Sequence, residues 1–132
     1  MSINRSSLPE ISSQTKETWR HIRHDYSAGG VAYRCVATVE QPGDTRANVQ
    51  IEVALIATRG GRRWQLPKGS REANESSVET AIREVHEEVG LHTENEGFLQ
   101  TIDYWYWDTY RKDVAELVHK SVDFYLLRVT GG

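Results

Sequence analysis

The sequence predicts an α+β domain. Short β-like runs follow one another from Gly29, one strong helical pattern occupies Ser76–Val89, and a Gly60-Gly61 pair marks a hairpin. Ahead of them, residues 1–28 read as a mobile polar leader with eight Ser or Thr and a faint stripe in Trp19, Ile22 and Tyr26. Glu10, Glu17 and Asp25 argue against an organelle transit peptide there. Val31–Glu40 is a strand rich in β-branched and small residues, with Cys35 expected to be a small buried hydrophobe. Gln41–Asn48 carries Pro42, Gly43 and Asp44, a turn signal. Val49–Thr58 becomes continuously apolar, as in a strand covered on both faces, and Gly60-Gly61 turns it into Arg62–Leu66. After the helix, Phe98–Trp107 and Val118–Val129 are two further strands.

Composition bounds the function. A chain of 132 residues with 38% hydrophobic content is one domain able to bury a core. No run approaches the roughly 20 apolar residues of a membrane span, and no secretory signal opens the chain. One cysteine excludes an internal disulfide and a multi-cysteine zinc site. A net charge of −3 argues against a general grip on nucleic acid. The expectation is a soluble cytoplasmic protein of one domain.

The helix conflicts with its own electrostatics. Val78, Ala81, Ile82, Val85 and Val89 form a core-facing stripe. Glu84, Glu87 and Glu88 share an arc of roughly 100°. Like charges at i, i+4 repel, and acidic residues in a last turn oppose the helix dipole. A Glu-rich helix is ordinarily a solvated face, yet this arrangement is unfavourable on both counts. A hard divalent cation would resolve the conflict, and magnesium takes carboxylates together with substrate phosphate oxygens.

Gly69, Glu75 and the run Arg83-Glu84-Val85-His86-Glu87-Glu88-Val89-Gly90-Leu91, at their spacing, resemble the Nudix box at every constrained position. A chance match is expected in about one window per billion at average composition. The flanks agree: Ser27–Arg34 resembles the family's first strand, Trp64–Gly69 the segment leading into the box, and Lys120–Leu126 the later central strand. The resemblance implies a Nudix fold over residues 29–132, a mixed β-sheet flanked by helices in an α/β/α sandwich. It also implies a C-terminal helix that these residues lack: either this is a shortened member, or a piece of a longer chain, or the leader or a second subunit fills the gap, and an exposed apolar sheet face would favour association into a homo-oligomer.

The resemblance also implies the chemistry: divalent-metal-dependent hydrolysis of a nucleoside diphosphate linked to another group. Glu87 and Glu88 would be metal ligands, with Mg2+ or Mn2+ as the metal. Glu84 would be a further ligand or the base, and the Lys68 carbonyl another ligand. Arg83 would pair with Glu75 and orient Glu84, and Gly69 and Gly90 would give the loops backbone freedom. The motif is closest to the branch acting on diadenosine polyphosphates, which assigns Lys120 to the polyphosphate; a plain solvated lysine is the equal alternative. Alternation sends Tyr104 and Tyr106 to one face and Trp105 and Trp107 to the other, so one pair stacks a base or both pack. Arg34 is a weaker phosphate candidate, and Arg62, Arg63 and His86 receive no role. A base outside the box would come from Asp103, Asp108, Asp113 or Glu116. Hydrolysis of damaged or ordinary nucleoside triphosphates, nucleotide sugars or inositol pyrophosphates is the second reading. A nucleotide sensor without turnover is the third, and retention of all three glutamates counts against it.

Overall fold

The computed structural model describes residues 3–38, 43, 48–110 and 113–132. The chain divides into two compact units. One contains Met1–Tyr26 and Thr101–Val122, the other Ser27–Gln100 and Asp123–Gly132. In chain order the elements are a 3-10 turn Arg5–Ser7, α1 Ser13–Thr18, β1 Ile22–Thr38, β2 Asn48–Val53, β3 Ile56–Thr58, β4 Arg63–Gln65, β5 Lys68–Ser70, α2 Ser77–Val89, β6 His92–Asp108 and β7 Glu116–Gly131. The main sheet has the order β2-β1-β7-β6, with β5 added beside β1, and β3 pairs β4 separately. The α+β class is as predicted. No helix among the described residues is long and apolar enough to cross a membrane.

In the first unit, the stretch expected to be a mobile leader contributes α1 and the start of β1. Ile22 and Tyr26 therefore belong to a strand, not to a helical stripe. What holds that strand is polar. Arg23 donates to Asp25, Asp108 and Glu116, each at 3.0 Å. The Leu117 amide donates to the His21 carbonyl at 2.8 Å, and the Trp19 indole N–H to the Ala115 carbonyl at 2.9 Å. In the same unit Leu117, Val118 and Val122 are fully buried. Ser12 caps α1, accepting from the Thr15 amide, and Trp19 meets Trp107 edge-on at 4.6 Å.

In the second unit, α2 packs its stripe onto the sheet. Ala28 and Ala32 of β1, Ala81 and Val85 of α2 and Leu127 of β7 form the buried core. Val78, Ile82 and Val89 of the stripe are half-buried. A Cβ at Gly30 would overlap the Leu127 methyl group and crowd Val85, so the absent side chain at 30 sets how closely helix and sheet approach. The helix begins with a capping box, Ser76 accepting from the Glu79 amide while Glu79 accepts from the Ser76 amide. It ends at Gly90 in the left-handed conformation, φ 73°.

Two expectations are corrected. The apolar run Val49–Thr58 is two strands, β2 and β3, and is not covered on both faces. β2 is a sheet edge with β1 as its one neighbour, so Val49 and Ile51 remain 67% and 68% exposed. Cys35 is exposed rather than buried, opposite Ile51 on that edge. The expected hairpin is present, pairing Ile56 with Gln65 and Thr58 with Arg63. Its turn holds Arg59, Gly60 and Gly61 all at positive φ. Pro42 and Asp44 of the expected turn lie outside the described residues; Gly43 is described, at φ 87°.

Candidate active site

The segment before α2 is fixed to the sheet through backbone. The Gly30 amide donates to the Pro67 carbonyl at 3.2 Å. β5 then pairs antiparallel with β1, matching Gly29 with Lys68, Ala28 with Gly69 and Ser27 with Ser70. This register brings Gly69 against the Glu84 carboxylate, where any Cβ would overlap the carboxyl carbon. Gly69 is thus required for space, which refines the expectation of backbone freedom. Gly90 does use a conformation that glycine favours.

Arg83 organises the acidic groups. Its guanidinium donates to both Glu75 oxygens at 2.7 and 3.0 Å, to Glu84 at 2.8 Å, to Glu87 at 3.1 Å and to the Ser70 carbonyl at 2.9 Å. This planar fork ties the loop, the helix start and two box glutamates together. Glu75 also accepts from the buried Thr80 hydroxyl at 2.6 Å. Sequence reasoning anticipated the Arg83–Glu75 pair but not Thr80 or the Ser70 carbonyl. The Thr80 signal was a hydroxyl beside the apolar stripe, one turn after Glu75. A second unanticipated bond runs from the Ser77 hydroxyl to Asp123 at 2.6 Å.

The electrostatics follow from these contacts. Hydrogen bonds from Arg83 and then Thr80 hold the Glu75 carboxyl down at about 2. The carboxylates raise Arg83 further above its ordinary range. Glu88 is pushed up instead, chiefly by burial although the residue as a whole is exposed, with the charges of Glu84 and Glu87 adding to it. The Lys68 amide, donating at 3.1 Å, and the Lys68 charge act the other way. Because Glu75 is depressed, its stability contribution is present above the ordinary carboxylate range and is lost as pH falls from about 4.5 towards 2. Acid titration of the melting temperature should show this loss in the parent chain and a flatter profile in Glu75→Gln; identical profiles would exclude the pair as an acid-sensitive contact.

Among the described residues, no three His, Cys, Asp or Glu side chains converge as a ready metal cage, since Arg83 engages Glu84 and Glu87. The donor chemistry nonetheless fits a hard divalent cation. Three carboxylates occupy one helix face, and one of them is disfavoured by burial and by its two neighbours.

The remaining candidates are placed as follows. Arg34 pairs with Glu52 at 2.7 Å, and both line a cavity of about 350 Å³ floored by Ala32, Ala54, Leu91 and Val129. Arg62 and Arg63 are exposed at the hairpin. His86 stacks on His92 at 4.5 Å. In the first unit, Lys120 is half-buried on β7. Tyr104 and Tyr106 lie 6.0 Å apart, tilted by 33°, and burial raises the Tyr106 phenol. The tryptophan pair packs: Trp105 stacks on His119 at 4.4 Å under the Lys16 ammonium, and Trp107 meets Trp19. Asp108 and Glu116 are held by Arg23, Asp103 by His119, and Asp113 is exposed.

Residues 44–132 match the family model for the NUDIX domain. A mutator protein designated MutT4 from Mycobacterium tuberculosis is 38% identical over 109 residues, covering 83% of this chain and 40% of that protein. An asymmetrical bis(5'-nucleosyl)-tetraphosphatase from Sus scrofa is 39% identical over 66 residues, 46% of this chain and 45% of that protein. A solved structure of a C. elegans Ap4A hydrolase shares the fold at a TM-score of 0.50 with 23% identity, covering 83% of this chain and 76% of that one. The chain spans less than half the length of these two curated relatives. Box, fold and domain match agree, and the chain belongs to the Nudix family.

Proposed function

We propose that the chain is a divalent-metal-dependent pyrophosphohydrolase acting on a nucleoside diphosphate linked to another group, with dinucleoside polyphosphates as the preferred class. The observation that carries this is the Arg83-centred cluster, in which one guanidinium orders Glu75, Glu84 and Glu87 beside Glu88. Glu87, Glu88 and the Lys68 carbonyl would hold Mg2+ or Mn2+. The bound metal supplies Lewis-acid polarisation of a phosphoryl oxygen and a more acidic water.

The chain's own residues do the rest. Glu84 takes the proton of the attacking water, while the P–O bond opposite breaks and the leaving phosphate departs with the electron pair. Arg83 orients Glu84 and balances the charge gathered there; Glu75, anionic down to about pH 2, keeps Arg83 in place. Gly69 leaves the space that the Glu84 carboxylate occupies. Arg34 is the proposed polyphosphate contact of this unit; Lys120 for phosphate and Tyr104 and Tyr106 for a base lie in the first unit and are candidates from the sequence and its family resemblance alone, the tryptophans there being already packed.

The tetraphosphatase relative supports the dinucleoside polyphosphate class. The mutator relative, and an 8-oxo-(d)GTP phosphatase from Mycolicibacterium smegmatis that is 36% identical over 83 residues, favour a second reading on nucleoside triphosphates. A hydrolysis panel separates them. Diadenosine tetra- and hexaphosphate should turn over at least tenfold faster (as kcat/KM) than 8-oxo-dGTP, ordinary triphosphates or nucleotide sugars, and chelator should stop all turnover. Faster cleavage of 8-oxo-dGTP selects the second reading. Tight nucleotide binding without turnover selects a sensor.

A further inference from the structure

We propose that His24 and His119 form a binding site for a zinc-type transition-metal dication, built from imidazole nitrogen rather than from the carboxylate oxygens of α2. The two residues sit on the neighbouring strands β1 and β7, with Asp103 contributed by β6 on the other side of β7. His119 Nδ1 faces His24 Nδ1 at 3.3 Å, and His119 Nε2 faces Asp103 Oδ2 at 2.8 Å.

The hydrogen-bond chemistry fixes which nitrogen is available. A carboxylate only accepts, so Asp103 keeps the His119 N–H on Nε2 and leaves a lone pair on Nδ1, aimed towards His24. A carboxylate behind an imidazole is the usual support of a metal-ligating histidine. The spacing fits as well. Two nitrogens bound to one tetrahedral zinc at about 2.0–2.1 Å lie about 3.3 Å apart, the separation already present. Binding requires His24 to carry its proton on Nε2 in place of Nδ1, with no net proton or electron change.

The rings are held in position before any metal arrives. His119 lies flat on Trp105, 4.4 Å away with planes 7° apart. Lys16 covers the Trp105 ring at 5.0 Å, and His24 meets both Trp105 and His119 edge-on. Imidazole donors select zinc, nickel or copper over magnesium. Among the described residues no third His, Cys, Asp or Glu joins the pair, so water or an external ligand completes the coordination.

Calorimetric titration of the full chain with Zn2+, in millimolar Mg2+ to occupy the carboxylates, should show one equivalent bound. His24→Gln and His119→Gln should each abolish that event, and Asp103→Asn, which keeps both imidazoles, should weaken it about 10–100-fold. Unchanged circular dichroism and melting of each variant establish that the fold is retained. The double variant Glu84→Gln/Glu88→Gln should keep the event. No zinc binding by the parent, binding that survives both histidine substitutions, or binding lost with the glutamates would overturn the proposal.

Discussion

Glu84→Gln and Glu88→Gln are each expected to lower turnover of diadenosine tetraphosphate by about a hundred- to ten-thousand-fold, the range for losing a positioned base or charge at a reacting centre. The fold should be retained in both, and be untouched or slightly firmer in Glu88→Gln, since of the two only Glu84 is ion-paired to Arg83. Glutamine keeps the volume of glutamate, and its carbonyl can still accept from the Lys68 amide at position 88 or from Arg83 at position 84. What disappears is negative charge, which at position 88 is already disfavoured by burial and by two acidic neighbours. The result expected is therefore a drop in kcat for both, with an equal or higher melting temperature for Glu88→Gln. That combination separates a site residue from a structural one, because a structural glutamate would lose stability when neutralised. Either variant working at the parent rate removes that residue from the mechanism.

The largest stability effect is expected at Leu127. Its side chain is fully buried between β1 and α2, filling the space left by Gly30 and touching the core formed with Ala28, Ala32, Ala81 and Val85. The surrounding residues are small and already close, so they cannot collapse into a vacancy. Leu127→Ala should cost about 2–5 kcal/mol, a large share of the 5–15 kcal/mol typical of a domain. Urea unfolding should show a lower midpoint with an unchanged slope. A loss below about 1 kcal/mol would mean that the site relaxes, against the close-packed reading of Gly30.

How much was legible in the sequence depended on the kind of signal. The box helix was clear because its apolar residues recur at the helical period while its glutamates violate charge rules. Its Arg83–Glu75 pairing was also expected and is present at 2.7 Å. The early start of β1 was not legible. Arg23 holds that strand through Asp108 and Glu116, which lie far away in the chain, and no hydrophobic alternation announces such a contact. The exposure of Val49 and Ile51 was equally hidden, because an apolar run looks the same on an edge strand and a central one. Alternation separated Tyr104 and Tyr106 from Trp105 and Trp107 without saying which pair is engaged. Only the contacts of Lys16, His119 and Trp19 identify the tryptophans as the packed pair.

The short pairing of β5 with β1 bears on what a transplanted copy of such a site would need. Lys68 and Gly69 take their positions from backbone atoms of Ala28 and Gly29, and a methyl group at residue 29 would overlap the Pro67 carbonyl and the Lys68 side chain. A pattern confined to the box therefore records the donors without the ruler that spaces them. Gly29 carries no functional group and lies well outside the motif, yet a side chain there would displace the strand that carries Lys68 and Gly69.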